Sequence, residues 1–351
     1  MPFALPPVVR RLWLAAPALA LAAGVYLFWS WNHALNPGPD TFVVSSGTSL
    51  RALARELQRR DVLAEAHTFV WLGYLTGHSR DLKAGEYRFR KGISARALLD
   101  QVVAGRVVEY PLVLVEGWTF RQFLRALAQA PQLKQTLAGR APGEVMARLN
   151  HPRAHPEGRF YPDTYYYTGG ASDLEILARA YAKMDDTLRR EWENRDRELP
   201  FRSMDEALIM ASIVEKETGR ADERRQIAGV FINRLRRGMR LQSDPTVIYG
   251  LGQAYDGNIR LRDLRKDTPY NTYTRAGLPP TPIAMPGGEA LNAVLHPADT
   301  RALYFVSRGD GSHEFSNTLE EHNKAVIKYQ LKGRRQNFSS FSGAGRGGQA
   351  P

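Results

Sequence analysis

The feature that most constrains how this chain folds is an uncharged run of residues, 12–31, close to its start. A helix of that length spans about 30 Å at about 1.5 Å per residue, which is the thickness of the hydrocarbon core of a bilayer. Trp13 lies near one end of the run, and Trp29 and Trp31 lie at the other, as is typical of interfacial belts. The run therefore predicts a transmembrane helix. The alternative, a cleaved signal peptide, is disfavoured because the run is long and its exit is aromatic.

The charges around this run predict its orientation. Arg10 and Arg11 precede it, and the next basic residue is Arg51. The positive-inside rule therefore places residues 1–11 in the cytoplasm and everything after Trp31 outside. The net charge of +12 suits a polyanion. With this topology, nucleic acid is excluded as a partner, and lipid headgroups or a cell-wall polymer are favoured. The chain has no cysteine, which excludes disulfides, thiolate zinc sites and cysteine nucleophiles.

An internal repeat follows the run, at an offset of 70 residues. Residues 42–53 align with residues 112–123, and Gly47 aligns with Gly117. Each copy reads as a short strand, a glycine turn, a Ser or Thr at the helix start, and an amphipathic helix. The repeat therefore predicts two strand–turn–helix units.

The first copy, within residues 41–108, resembles a LysM module. LysM modules are small βααβ units that bind glycans containing N-acetylglucosamine. The alternative is a generic strand–turn–helix packing unit that has no sugar site.

The stretch from Ser203 to Gly219 is an almost wholly apolar segment that predicts a buried helix. Ser203 and Glu206 have the spacing of a capping box, and Gly219 predicts a left-handed helix stop. Glu215 and Glu217 lie near the end, about 200° apart around the helix. Both have apolar neighbours, and those of Glu217 are bulkier.

A carboxyl group held against apolar side chains is expected to have a raised pKa, as a general acid near neutral pH requires. Glu217 is therefore the favoured catalytic candidate. The alternative is that both glutamates are solvated, since helix ends are often charged. One acid suits glycan cleavage, whereas a hydrolase normally needs a second carboxylate. Asp244 or Glu215 would be that carboxylate, and the residues alone leave the choice open. His151 and His155 have an i,i+4 spacing, but their flanking prolines argue against a helical metal site. We predict no metal and no cofactor.

Several long motifs in one order carry a family resemblance. Residues 211–218 read Ala-Ser-Ile-Val-Glu-Lys-Glu-Thr, and residues 238–250 read Gly-Met-Arg-Leu-Gln-Ser-Asp-Pro-Thr-Val-Ile-Tyr-Gly. Residues 270–273 read Tyr-Asn-Thr-Tyr. With these motifs the chain resembles the YceG-like endolytic murein transglycosylases, the MltG family. The resemblance extends over nearly the whole chain up to about residue 332.

The resemblance implies that Glu217, the second glutamate of Glu-Lys-Glu, is the catalytic acid. The implied reaction is non-hydrolytic cleavage of the β-1,4 bond between N-acetylmuramic acid and N-acetylglucosamine, which leaves 1,6-anhydro ends. Glu215 is expected to be structural or a secondary site residue. The other candidates for holding the sugar, chosen by position, are Gln242, Asp244, Thr246, Tyr270, Asn271 and Tyr273.

The expected fold class is α+β: one transmembrane helix, a LysM-like βααβ domain and a mixed α/β catalytic domain. The expected boundaries are 1–11 (cytoplasmic), 12–31 (membrane), 41–108 (LysM-like), 109–332 (catalytic) and 333–351 (disordered tail). We expect a single-pass plasma-membrane enzyme that acts outside the cytoplasm on nascent peptidoglycan strands, in company with penicillin-binding proteins. The alternatives are a peptidoglycan glycoside hydrolase and a non-catalytic wall-binding anchor.

Overall fold

The structure, a computed structural model, describes residues 7–36 and 40–331, with side chains from residue 17 onward. The predicted tail 333–351 lies outside these ranges, as does most of the predicted cytoplasmic segment. The chain divides into two compact units: Met1–Leu112 with Ala130–Lys134 and Tyr166–Ser172, and Val113–Gln129 with Gln135–Tyr165 and Asp173–Pro351.

The elements follow one another in this order: α1 Pro7–Asn32, β1 Thr41–Val44, α2 Leu50–Arg59, α3 Ala66–Leu75, β2 Gly85–Arg88, α4 Ala95–Ala104, β3 Glu109–Val113, α5 Phe120–Gln129, α6 Pro142–Arg148, β4 Thr164–Thr168, α7 Asp173–Glu193, α8 Met204–Glu217, α9 Ala221–Arg236, α10 Asp244–Leu251, α11 Leu261–Arg265, α12 Gly288–Leu295, β5 Tyr304–Ser307, β6 His313–Ser316 and α13 Leu319–Tyr329. Helices and strands are both present, so the predicted mixed α and β composition is confirmed.

The first unit contains a β1–α2–α3–β2 arrangement. β1 pairs with β2 in antiparallel register from Thr41↔Arg88 to Val44↔Gly85. The apolar faces of α2, α3 and α4 close over this sheet, and their shared core includes Phe42, Leu53, Leu57, Phe69, Leu72, Tyr87 and Leu98. The order of elements matches the βααβ prediction. The resemblance to a glycan-binding LysM module stays a prediction.

The predicted membrane span 12–31 falls within α1. The side chains of residues 12–16 lie outside the described part of the chain. Among the described residues, no helix combines the length and the apolar character that crossing a bilayer requires. The span itself stays a prediction.

The second unit is built around α8. Every side chain from Ala207 to Val214 is buried, because α7, α9, α10 and α12 all pack against this helix. A helix that is apolar on all sides needs such a complete covering. The predicted buried helix is therefore confirmed. It carries Glu215 and Glu217 in its last turn.

Both ends of α8 differ in detail from the prediction. Ser203 accepts the N–H of Glu206, as predicted, but the Glu206 carboxylate accepts the N–H of Arg202 rather than that of Ser203. At the other end, Thr218 is extended, with φ −145° and ψ 136°. Gly219 does not have a left-handed backbone, so the predicted glycine stop is wrong. The buried Thr218 ends the helix instead, and its hydroxyl accepts the N–H of Arg220.

The second copy of the repeat is also confirmed as strand, turn and helix, with β3 before the turn and α5 after it. Gly47 and Gly117 both have a left-handed backbone, with φ 78° and φ 73°. Such a conformation is tolerated best by glycine, which explains the matching positions in the two copies. β3 pairs with β4. In β4, Tyr165 and Tyr167 are buried in the core, so the tyrosine run there is mostly packing material.

Candidate active site

Glu217 is the last residue of α8, and its carboxyl group is partly buried. Burial raises its pKa to about 7 and the hydroxyl of Ser243 opposes that rise; the charge of Asp244 raises the pKa further and that of Arg234 lowers it. The alternative that both glutamates of the helix end are fully solvated is wrong. A pKa raised toward neutral suits a group that must both give and take a proton.

Ser243 donates its hydroxyl to Oε1 of Glu217 at 2.5 Å. Ser243 stands at the N-cap of α10, yet its side chain makes no hydrogen bond to the helix. The hydroxyl of a serine at an N-cap ordinarily accepts a backbone N–H from the first turn of its own helix. Here the hydroxyl is turned to the glutamate, which leaves Oε2 as the oxygen that is free to carry a proton to another molecule.

Two buried threonines hold Ser243 in this orientation. The Thr272 hydroxyl accepts the N–H of Ser243 at 2.9 Å, and the Thr246 hydroxyl donates to the Ser243 carbonyl at 2.7 Å. The two threonine hydroxyls lie 2.9 Å apart. The predicted site residue Thr246 therefore acts on the position of Ser243. Both threonines are buried, with at most 2% of their surface exposed, so they support the site from behind.

Two further groups surround Glu217. Tyr273 donates its hydroxyl to Oδ1 of the exposed Asp244 at 2.6 Å. Arg234, on α9, is buried and donates to the carbonyls of Leu241 and Leu303, both at 2.6 Å. Burial lowers the pKa of its guanidinium. The site thus combines the proton of Glu217 with the fixed positive charge of Arg234 and the accessible negative charge of Asp244.

The other predicted sugar-holding residues are more mixed. Gln242 has a left-handed backbone with φ 51°, and its N–H binds the Thr272 carbonyl, so it is placed beside Ser243. Tyr270 pairs its hydroxyl with that of Thr281 at 2.9 Å. Asn271 is buried, and its amide is fully engaged in tying its loop to the end of α11. It donates to the carbonyls of three residues and accepts one N–H: Asp263, Leu264, Lys266 and Tyr273. Asn271 therefore shapes the loop that carries Tyr273.

The carboxyl group of Glu215 is used in a hydrogen bond that supports the fold. Its Oε2 accepts the N–H of Gly287, the N-cap of α12, at 3.0 Å. Burial raises the pKa of its carboxyl group; this hydrogen bond opposes the rise, and the nearby Glu116 adds to it. Of the two predicted roles for Glu215, its contacts match the structural one.

A third buried carboxyl group, that of Glu157, was not predicted as a site residue. Oε1 accepts the N–H of Phe120 at 2.8 Å, and Oε2 accepts the hydroxyl of Tyr249 at 3.0 Å. Burial raises its pKa to about 7, against the effect of these two hydrogen bonds. Tyr249 lies on α10, the helix that begins beside Ser243. Glu157 thus ties α10 to the start of α5. The signal for Glu157 in the sequence is that Glu157-Gly, with Pro162-Asp-Thr, belongs to the motifs of the family resemblance.

Comparison with known proteins places the chain. The model of the YceG-like family matches residues 42–328, which include the whole site. The chain belongs to the YceG-like family. The family resemblance found in the motifs is therefore confirmed.

Curated relatives of this YceG-like chain bear one name. The endolytic murein transglycosylase of Bacillus subtilis strain 168 is 32% identical over 306 residues, which cover 82% of this chain and 83% of the relative. The protein of that name in Streptococcus pneumoniae strain D39 is 26% identical over 324 residues. That match covers 82% of this chain and 58% of the relative. A crystal structure of a YceG-like protein from Listeria monocytogenes superimposes with a TM-score of 0.51 at 31% identity, covering 81% of this chain and 98% of that one.

Proposed function

We propose that this chain is a membrane-anchored endolytic transglycosylase that cleaves the β-1,4 bond between N-acetylmuramic acid and N-acetylglucosamine in nascent peptidoglycan. The cut leaves 1,6-anhydro ends and terminates growing strands. The observation that carries this proposal is the geometry of the Glu217 carboxyl group: Ser243 holds Oε1 and Oε2 is left for the substrate, while burial raises the pKa to about 7. One such group suits a reaction in which one residue acts first as acid and then as base.

Family membership and the relatives' shared name support the enzyme class. The chain is a lytic transglycosylase, a carbon–oxygen lyase acting on peptidoglycan, as the motifs implied. The finer parts of the proposal are the anchor, the anhydro product and the role in strand termination. The anchor rests on the uncharged run of residues 12–31, and the anhydro product rests on the chemistry of the site. The role in strand termination rests on both.

The proposed mechanism needs no second carboxylate. Protonated Glu217 donates the proton on Oε2 to the glycosidic oxygen, and the bond between that oxygen and C1 of the muramic acid breaks. The C6 hydroxyl of the same sugar attacks C1, and its proton passes to the Glu217 carboxylate. The 1,6-anhydro ring forms, and Glu217 ends protonated as it began. The accessible carboxylate of Asp244 stabilises positive charge that develops on the sugar ring in the transition state.

The hydrogen bond of Glu215 disfavours a hydrolase that uses this residue as its second carboxylate. An inverting hydrolase needs a free carboxylate to activate water on the far side of the sugar. Glu215 is half-buried and its Oε2 accepts the N–H of Gly287, so it is not free to do this. Asp244 is exposed, and the products of the reaction decide whether it acts as a base. The non-catalytic alternative leaves the raised pKa of Glu217 and the turned hydroxyl of Ser243 without a purpose.

The anchor would give the enzyme its place of action. A catalytic unit tethered by residues 12–31 to the outer face of the plasma membrane would meet new strands where synthases make them. Penicillin-binding proteins are therefore the proposed partners. The net charge of +12 suits both an anionic membrane surface and the acidic wall.

The products decide the reaction. We expect the full chain in detergent, incubated with purified peptidoglycan, to release fragments that end in 1,6-anhydro-muramic acid, as identified by mass spectrometry. Hydrolysis would give the same fragments heavier by one water and with reducing ends. That outcome would overturn the proposed reaction, and binding without new ends would support the wall-anchor alternative.

Replacing Ser243 by Ala tests the second group of the site. Cleavage is expected to fall about fivefold, because the acid is no longer fixed in one orientation by a hydrogen bond of about 1 kcal/mol. The lost donor also raises the pKa of Glu217, so the alkaline limb of the pH–rate profile should move to higher pH. The rate measured from pH 5 to pH 9 checks both effects.

Two variants serve as controls for this test. Ser243→Thr keeps the hydroxyl and should restore the limb. Thr246→Val removes a hydroxyl that contacts Ser243 but not Glu217, and it should lower the rate with a smaller shift of the profile. A Ser243→Ala profile that coincides with the wild type would rule out the assigned role.

A further inference from the structure

One face of the first unit exposes large apolar side chains. On α3, Trp71, Tyr74 and Leu75 are 57%, 51% and 64% exposed. Arg51 and Arg55 of the neighbouring α2 border them and are exposed as well. The Arg51 guanidinium lies 6.0 Å from the centre of the Tyr74 ring. A groove between the two helices continues this surface. We call these five residues the α2–α3 face. A contiguous exposed patch of aromatic residues commonly marks a docking surface.

The end of α1 lies directly beside α3 in the same unit. The Trp31 indole N–H donates to the Thr68 carbonyl at 2.9 Å, and the Tyr26 hydroxyl donates to Glu65 at 2.7 Å. The link after α1 is fixed too, because the N–H of Leu35 binds the Ile93 carbonyl at 2.8 Å. The depth of Trp31 relative to a bilayer would therefore determine the depth of α3.

This geometry has a consequence for the anchored chain. If residues 12–31 span the bilayer, Trp31 marks the outer edge of the hydrocarbon core. At about 1.5 Å per residue, all of α3 lies within about 11 Å of the level of Thr68. The headgroup layer adds roughly 5–8 Å on each side of the hydrocarbon core. Tyr26 precedes Trp31 on α1 and its partner Glu65 precedes Thr68, so α3 leads outward from the bilayer. Trp71 then lies about 5 Å and Leu75 about 11 Å beyond the level of Thr68, which extends from within the headgroup layer to just outside it.

We propose that the α2–α3 face docks on anionic lipid headgroups of the membrane in which α1 is anchored. This inference rests on the proposed anchor. It adds a second contact with the membrane, through which the first unit would lie against the lipid surface. The composition fits this occupant, because Trp and Tyr favour the membrane interface and Arg pairs with phosphate groups. The acidic Glu65 at the start of α3 is already bound by Tyr26 and lies 3.1 Å from His67. Its charge is therefore partly offset.

The natural chain has no cysteine, so single cysteines can report depth in the membrane. Leu75→Cys probes the α2–α3 face, and Val43→Cys, at a site 68% exposed on β1, is the matched control in the same unit. Val25→Cys, at a site 61% exposed on α1, reports the anchor itself. Each full-length variant carries an environment-sensitive fluorophore in nanodiscs of phosphatidylcholine with or without phosphatidylglycerol.

We expect the label at residue 75 to be blue-shifted and several-fold protected from iodide, a water-soluble quencher, in discs that contain phosphatidylglycerol. The label at residue 43 should remain exposed to iodide. Arg51→Glu with Arg55→Glu should return the label at residue 75 to water while the label at residue 25 stays in lipid.

Three outcomes would overturn the inference, and they differ in what else they remove. A label at residue 25 in lipid with residue 75 in water rejects the docking and leaves the anchor standing. A label at residue 25 in water rejects the anchor and the docking together. A label at residue 75 that ignores lipid but is protected by soluble oligomers of N-acetylglucosamine assigns the face to a glycan instead.

Discussion

Replacing Glu217 by Gln is expected to lower the rate of glycan cleavage by about a thousandfold, within the range that general acid–base catalysis contributes. Glutamine has nearly the same shape, and its amide oxygen still accepts the hydroxyl that Ser243 donates to Oε1 of the glutamate. The amide NH2 at the second position is far too weak an acid to protonate the glycosidic oxygen, and the neutral amide cannot take the proton of the C6 hydroxyl. Both halves of the proposed mechanism therefore fail in a correctly folded protein. The rate of formation of anhydro-muramyl ends measures this loss.

Glu215→Gln is the matched control, because it makes the same change two residues earlier on α8. Its amide oxygen can still accept the N–H of Gly287, so cleavage should stay within a few-fold of the wild type. Binding of Glu217→Gln to peptidoglycan should also persist. Substantial cleavage by Glu217→Gln would remove Glu217 from the catalytic role, and a complete loss in Glu215→Gln alone would move that role to Glu215.

The sequence predicted α8 and its candidate acid for a simple physical reason. A segment that is apolar around its whole circumference must be covered by other elements, and a carboxyl group at its end is carried into that covering. Glu217 was singled out by its bulkier neighbours, and burial is indeed the largest cause of its raised pKa. The residues between Ala207 and Val214 thus locate the candidate site before any tertiary contact is known.

The contacts that complete the site depend on chain segments distant in sequence. Ser243 reaches Glu217 from 26 residues further along, and its position depends on Thr272 in another loop. No local pattern distinguishes a serine that caps its own helix from one that turns away. Asn271 shows the converse. A polar residue in a polar loop suggested a sugar contact, but its amide is used up by the loop's own backbone.

The ends of α8 illustrate a similar limit. A glycine after a helix usually supplies a left-handed residue. Here α9 begins at Ala221, four residues after α8 ends, and the buried Thr218 leaves the helix in an extended conformation. Burial of one threonine outweighs the local preference of Gly219, and burial is a tertiary property that the spacing does not reveal.

Replacing Glu157 by Gln is expected to remove about 3 kcal/mol of the pH dependence of stability, since its pKa rises from 4.5 to about 7 on folding. Between these values the folded state binds more protons than the unfolded state. The stability that this carboxyl group contributes is therefore complete below pH 4.5 and is lost as the pH rises through 7. Glutamine does not titrate, and its amide oxygen can keep the bond to the N–H of Phe120. The variant should lose less stability than the wild type between pH 5 and pH 8, as measured by chemical denaturation.

The same reasoning links this buried group to the catalytic one. Glu217 also has a pKa near 7, so Glu217→Gln should flatten the dependence in the same direction. The two changes should add, unless Tyr249 and α10 couple the two carboxyl groups. An unaltered slope in Glu157→Gln would mean that this carboxyl group stays ionised in the fold. Its hydrogen bonds to Phe120 and Tyr249 would then outweigh the effect of burial.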